Sequence, residues 1–169
     1  MATIITDLKE SFRRGNIYIQ LIYINVGVFI FTTLTGVILQ LFNRSLGGVF
    51  EWLELPASLP RFIIQPWSVL TYMFMHAGVL HILFNMLWLY WFGALFLNFF
   101  SARHLRGVYI LGGICGGLLY MTAYNIFPYF RPMTEYSFML GASASVLAIV
   151  AATAYRLSLI HISEPTRLR

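Results

Sequence analysis

Apolar residues run along this chain in long unbroken stretches, with no alternation and no repeating polar stripe. Residues 17–42, 79–100, 107–130 and 137–155 contain no Asp, Glu, Lys or Arg. A bilayer core needs about 20 consecutive apolar residues per helix, so each stretch predicts a membrane-spanning helix. The third is interrupted only by Asn125 and Pro128 near its end, and the fourth is the shortest. Membrane strands are excluded, since they alternate and need only about 10 residues. The expected fold is all-α, a polytopic membrane helical bundle.

The segments between the stretches refine this picture. Residues 1–16 form a polar N-terminal segment, 17–155 the membrane domain, and 43–75 a long first loop. That loop mixes Phe50, Trp52, Phe62, Trp67 and Tyr72 with Glu51, Glu54, Arg61 and three prolines. Such a mixture suits the boundary between water and lipid. The third stretch carries Gly112, Gly113, Gly116 and Gly117, overlapping small-xxx-small pairs that let a neighbouring helix approach closely.

Charge sets an orientation. Lys9, Arg13, Arg14, Arg103, Arg106, Arg156, Arg167 and Arg169 fall on one side, against Arg44, Arg61 and Arg131 on the other. The positive-inside rule then places the N-terminus in the cytoplasm, and the balance suits a bacterial inner membrane.

Composition agrees: of 169 residues, 59% are hydrophobic and 10% charged, with mean hydropathy +0.76. A soluble domain carries about 25% charged residues. The net charge of +5 is spread over loops rather than gathered on one face, which argues against nucleic acid. A single cysteine, Cys115, excludes an internal disulfide and a Cys-rich zinc site. The polar start and the long first stretch do not read as a cleaved secretory signal.

Polar side chains inside lipid mark the candidate chemistry. His81 and Asn85 are four apart and share a helix face, while His76 falls at the helix entrance. Ser143 is six residues into its stretch and Asn85 six into its own, a matched depth of about 9 Å. Singly, these residues have plainer readings: a serine bonded back to an i−4 carbonyl, or a histidine bridging the core. Together they point to a serine nucleophile with donors aimed at a developing oxyanion. The stretches carry no Asp or Glu, which excludes an aspartyl intramembrane protease and disfavours a carboxylate-based carrier. The His-Glu-x-x-His of a zinc protease is also absent. No metal and no organic cofactor is expected.

The pattern His76-x4-His81-x3-Asn85 followed by Gly141-x-Ser143 resembles the rhomboid intramembrane serine proteases, over roughly residues 17–155. The resemblance implies that Ser143 is the nucleophile, attacking a peptide bond of a membrane-protein substrate near the outer face. It implies that His81 and Asn85, with the Ser143 N–H, form the oxyanion hole, and that His76 supports the pocket. Gly141 and Ala142 would border the substrate backbone. Three positions depart from the family pattern: Ala144 stands where glycine is usual, Leu147 where an aromatic ring is common, and Ser68 where arginine often follows the tryptophan.

The family's general base is a histidine on a sixth span, whereas this sequence shows four. It therefore reads as the N-terminal four-span part of such a protease, inactive by itself. His161 is 18 residues past Ser143, about 27 Å along a continued helix, and cannot serve as the base. Residues 156–169 break the apolar pattern and read as a non-native tail of vector or adapter origin. The alternative is a non-catalytic rhomboid-like protein that binds membrane clients.

Overall fold

The computed structural model describes residues 15–42, 48 and 50–163, with side chains as far as Leu159. Lys9, Arg13, Arg14, Arg44, Arg167, Arg169 and the side chain of His161 lie outside the described residues.

Four long helices dominate. They are α1 (Ile17–Leu41), α4 (Val79–Phe96), α5 (Ala102–Ile126) and α6 (Ser143–Ser163). The first three are long and apolar enough to cross a membrane. In α6 the apolar stretch that meets the same test for composition is 17 residues, Ser143–Leu159. Short elements fill the connections: β1 (Leu55–Pro56), α2 (Leu59–Ile64), α3 (Ser68–Thr71), a 3-10 turn at Tyr72–Phe74, a second at Arg131–Met133, and β2 (Phe138–Met139).

Two helix starts differ from the apolar stretches. Helix α5 begins at Ala102, before the stretch at 107, because Ser101 precedes a polar first turn and its hydroxyl meets His104 Nδ1 at 2.8 Å. Helix α6 begins at Ser143 and not at 137. Residues 138–139 are instead extended, pairing antiparallel with β1 in the register Leu55↔Met139 and Pro56↔Phe138. Gly141 then turns the chain with φ +118°. Hydropathy alone cannot separate an apolar strand and turn from the first turn of a helix.

Large apolar side chains cover the outside of the bundle as well as its core, and several polar ones are buried. Phe31, Leu34, Leu80, Leu83, Phe84, Leu111, Leu119 and Leu147 face outward, while Asn25, Thr32, Ser145 and Thr153 are buried. In water this surface would be a large aggregation patch. In lipid it is the expected outcome, since helices meet through polar and small groups rather than by hydrophobic sorting.

Helix α6 packs most extensively on α5 and next on α4, and α1 packs on α4. The glycines permit the closest contact. A Cβ built on Gly116 would fall 2.5 Å from Ala144 Cβ, and one on Gly112 would overlap Ala148 Cβ. Gly117, one residue further round the helix, abuts Leu55 and Tyr72, so the adjoining stripe of α5 receives the first loop. Tyr72, Met73, Leu89, Leu105, Tyr109 and Ile149 form the fully buried centre.

The first loop is folded. Gln65 Nε2 donates to the Glu51 and Glu54 carbonyls, Thr71 Oγ1 to Leu53 O, and Trp67 Nε1 to Trp52 O, with the two indoles stacked at 6.2 Å. Asn125 Nδ2 donates to Ala57 O, which ties the loop to the end of α5. Burial and the neighbouring Glu51 raise the Glu54 carboxyl above its ordinary range.

Candidate active site

Each site residue owes its place to a local constraint. Helix α4 carries His81 and Asn85 one turn apart, and Asn85 Nδ2 donates to His81 O at 2.9 Å. One amide N–H is thereby held to the helix, and the carboxamide stays on the His81 face, 8% exposed. His76 lies before the α4 start, in the segment that follows the 3-10 turn. Its Nδ1 meets Phe74 O at 3.4 Å, and its Nε2 accepts from the Ala142 N–H at 3.5 Å. This pair of partners selects the neutral tautomer with the proton on Nδ1. Burial, reinforced by His81, pushes the His76 imidazole down to about 4, so it is uncharged at neutral pH.

Ser143 opens α6. The first helical bond there runs from Val146 N–H to Ala142 O, leaving the Ser143 N–H without an intrahelical acceptor. The turn before it is held by Gly141 N–H donating to Tyr72 O at 2.9 Å. Gly141 is required twice over. Its φ of +118° is one that L side chains rarely adopt, and a Cβ there would lie 2.7 Å from His81 Nε2. Ser143 Oγ is 3.9 Å from that same point. The imidazole edge and the serine hydroxyl therefore both lie within 4 Å of one position beside Gly141.

His81, Asn85 and Ser143 line one groove between α4 and α6, of about 440 Å³. Its remaining walls are Leu80, Phe84, Trp88, Val146, Leu147 and Val150. His76 stands behind it, its ring 5.1 Å from the His81 ring, edge to face at 64°. Ser143 and Asn85 are not at matched helix depths, because α6 starts at the serine. They line one groove because the β2 and Gly141 turn places Ser143 at the start of α6, across from α4. Chemically, the groove offers an exposed hydroxyl, a carboxamide, an imidazole and a helix-terminal N–H on one apolar cleft.

The three unusual positions find physical settings. Ala144 packs its methyl against Gly116, a small-for-small contact. Leu147 is an exposed groove wall. Ser68 is fully buried, with no partner for its hydroxyl among the described residues. Sequence reading passed over Asn25 and Tyr72. Asn25 is fully buried in α1 and donates to Tyr109 OH at 3.1 Å. An asparagine within an apolar stretch was the available signal for the first; nothing in the sequence marks the Tyr72 carbonyl. No group of three or more His, Cys, Asp or Glu side chains gathers among the described residues.

Comparison with curated proteins and with solved structures gave no match. A family model, that of the Rhomboid domain, matches residues 64–163, more than half of the chain. That span contains His76, His81, Asn85, Gly141 and Ser143, and with them the whole groove. This is an integral membrane protein of the rhomboid family, whose members are in general serine proteases.

Proposed function

We propose that the chain carries the nucleophile and oxyanion half of an intramembrane serine endopeptidase. Its substrates would be transmembrane or membrane-proximal segments of other proteins. The observation that carries this reading is the groove in which Ser143, His81 and Asn85 meet beside a turn that only Gly141 can make.

In this reading Ser143 Oγ attacks the scissile carbonyl carbon and passes its proton to a base. The carbonyl oxygen becomes an oxyanion beside the Ser143 N–H, the Asn85 amide and the His81 ring. Collapse breaks the C–N bond and expels the amine, which takes the proton, and water then releases the acyl group from Ser143. An oxyanion donor of this kind is worth about 10²–10³ in rate. His76 does not touch the reacting atoms; it holds the Ala142 N–H and so the turn.

Among the described residues, no histidine is hydrogen-bonded to the Ser143 hydroxyl. The reading assigns the base to a histidine on a further span, as in the family, and holds these 169 residues inactive alone. A serine hydroxyl without a base is a weak nucleophile at neutral pH. The proposed setting is a bacterial inner membrane with the N-terminus cytoplasmic, as the basic residues suggest. Residues 156–169 have no part in the mechanism, although α6 runs as far as Ser163.

The test is fluorophosphonate labelling of the 169-residue chain beside its Ser143→Ala variant. Equal, background labelling of both is expected. Labelling that depends on Ser143 and matches an intact family member would remove the need for an external base. A client that crosslinks to the groove equally in both proteins, with no cleavage when a histidine-bearing span is supplied, would favour a non-catalytic binder.

A further inference from the structure

The five residues from Tyr72 to His76 join the site to the rest of the bundle. On the site side, Tyr72 O accepts from the Gly141 N–H at 2.9 Å and His76 Nε2 accepts from the Ala142 N–H at 3.5 Å. These are the N–H groups of the two residues immediately before Ser143. On the bundle side the same segment is anchored by two phenols. Tyr72 OH donates to Gly113 O in α5 at 2.6 Å, and Tyr109 OH of α5 donates to Met73 O at 3.4 Å. Asn25 Nδ2 of α1 in turn donates to Tyr109 OH at 3.1 Å. Tyr72, Met73 and Tyr109 are all 0% exposed, and so is Asn25.

The geometry points to Tyr72 and Tyr109 as positioning residues that hold the Gly141–Ser143 turn in its reactive shape through the 72–76 segment. A tyrosine in a packed apolar core needs no hydroxyl for packing, and burying one without a partner is costly. The Tyr72 phenol ties the segment to the Gly113 carbonyl of α5, the Tyr109 phenol of α5 reaches back to the segment's own Met73 carbonyl, and Asn25 extends the chain of donors to α1. Glycine at 141 has no side chain with which to fix itself, so its conformation depends on the Tyr72 carbonyl. That carbonyl is oriented by the Tyr72 side chain that anchors the same residue to α5. The inference deepens the reading of Ser143 as nucleophile and rests on it for its functional consequence.

Tyr72→Phe and Tyr109→Phe keep ring volume and remove one hydroxyl each. Gly113 O retains its helical i+4 partner within α5, so Tyr72→Phe should leave the fold intact. Amide hydrogen exchange of the chain in micelles or nanodiscs reports the result residue by residue. In Tyr72→Phe the Gly141 and Ala142 amides should exchange about tenfold faster, with Leu89 in the core of α4 unchanged. Tyr109→Phe should do the same more weakly, since its bond to Met73 O is longer. Unchanged Gly141 and Ala142 exchange in both variants overturns the inference. So does equal acceleration at Leu89, which would mean general loosening. If Tyr72→Phe does not fold, Tyr109→Phe decides by the same comparison. The readout needs no catalysis, so an unreactive Ser143 would sink the nucleophile reading without touching this result.

Discussion

Gly141→Ala is the most informative single substitution in the chain. Alanine at φ +118° occupies a region of backbone strain, costing about 1–3 kcal/mol. Its methyl would also stand 2.7 Å from His81 Nε2 and 2.8 Å from Cε1. The imidazole is a short, half-buried ring backed by His76, so it must swing away or push the turn outward, costing about 1–3 kcal/mol as overpacking does. The sum, about 2–6 kcal/mol, is a large part of the stability of an ordinary domain, about 5–15 kcal/mol. The assay is reversible unfolding in mixed micelles, followed by circular dichroism. Gly27→Ala in α1 is the control, because a Cβ there meets nothing within 4 Å. It should be neutral or stabilising by about 0.5–1 kcal/mol, the usual gain of alanine over glycine in a helix. Equal unfolding curves for Gly141→Ala and Gly27→Ala would refute the geometry assigned to the turn.

Three further predictions concern packing, protonation and the nucleophile. Gly116→Val should weaken the α5–α6 contact by about 2 kcal/mol or more, since even one methyl there meets Ala144 Cβ at 2.5 Å; an unchanged unfolding midpoint would contradict this. Folding depresses the His76 pKa from an ordinary 6.5 to about 4, through burial first and His81 second. Its stabilising effect is therefore complete above pH 6.5 and is lost as pH falls through 4, and His76→Gln should flatten that part of the melting-temperature profile. A parallel profile in both proteins would show that His76 is not the group responsible. Ser143→Ala should leave stability within about 0.5 kcal/mol, because the side chain is exposed and makes no hydrogen bond among the described residues; a clear loss in the unfolding assay would show a structural role.

The spanning helices were legible because lipid demands long apolar runs, a one-dimensional property. The pairing of His81 with Asn85 was legible for a similar reason, since a helix puts i and i+4 on one face. The start of α6 was not. Phe138, Met139 and Leu140 are as apolar as any helical turn, and only the partner strand at Leu55–Pro56 and the His81 ring beside Gly141 show that they must be extended. Those contacts span more than 50 residues of sequence. The matched-depth argument thus named three side chains that line one groove, but it did so through a wrong helix boundary. Asn25 was missed because a lone amide in a span has many possible partners, and Tyr72 because its role belongs to a main-chain carbonyl.

The central claim is that Ser143 becomes a nucleophile in this groove once a base is supplied. It is tested most directly by joining residues 1–156 to the later, histidine-bearing spans of a family member and labelling with a fluorophosphonate in proteoliposomes. The account predicts labelling that is abolished by Ser143→Ala and by loss of the added histidine. Asn85→Ala should reduce it about 10²-fold or more, as removal of an oxyanion donor does. A well-folded chimera that takes no label at Ser143, or that labels equally without it, would contradict the account.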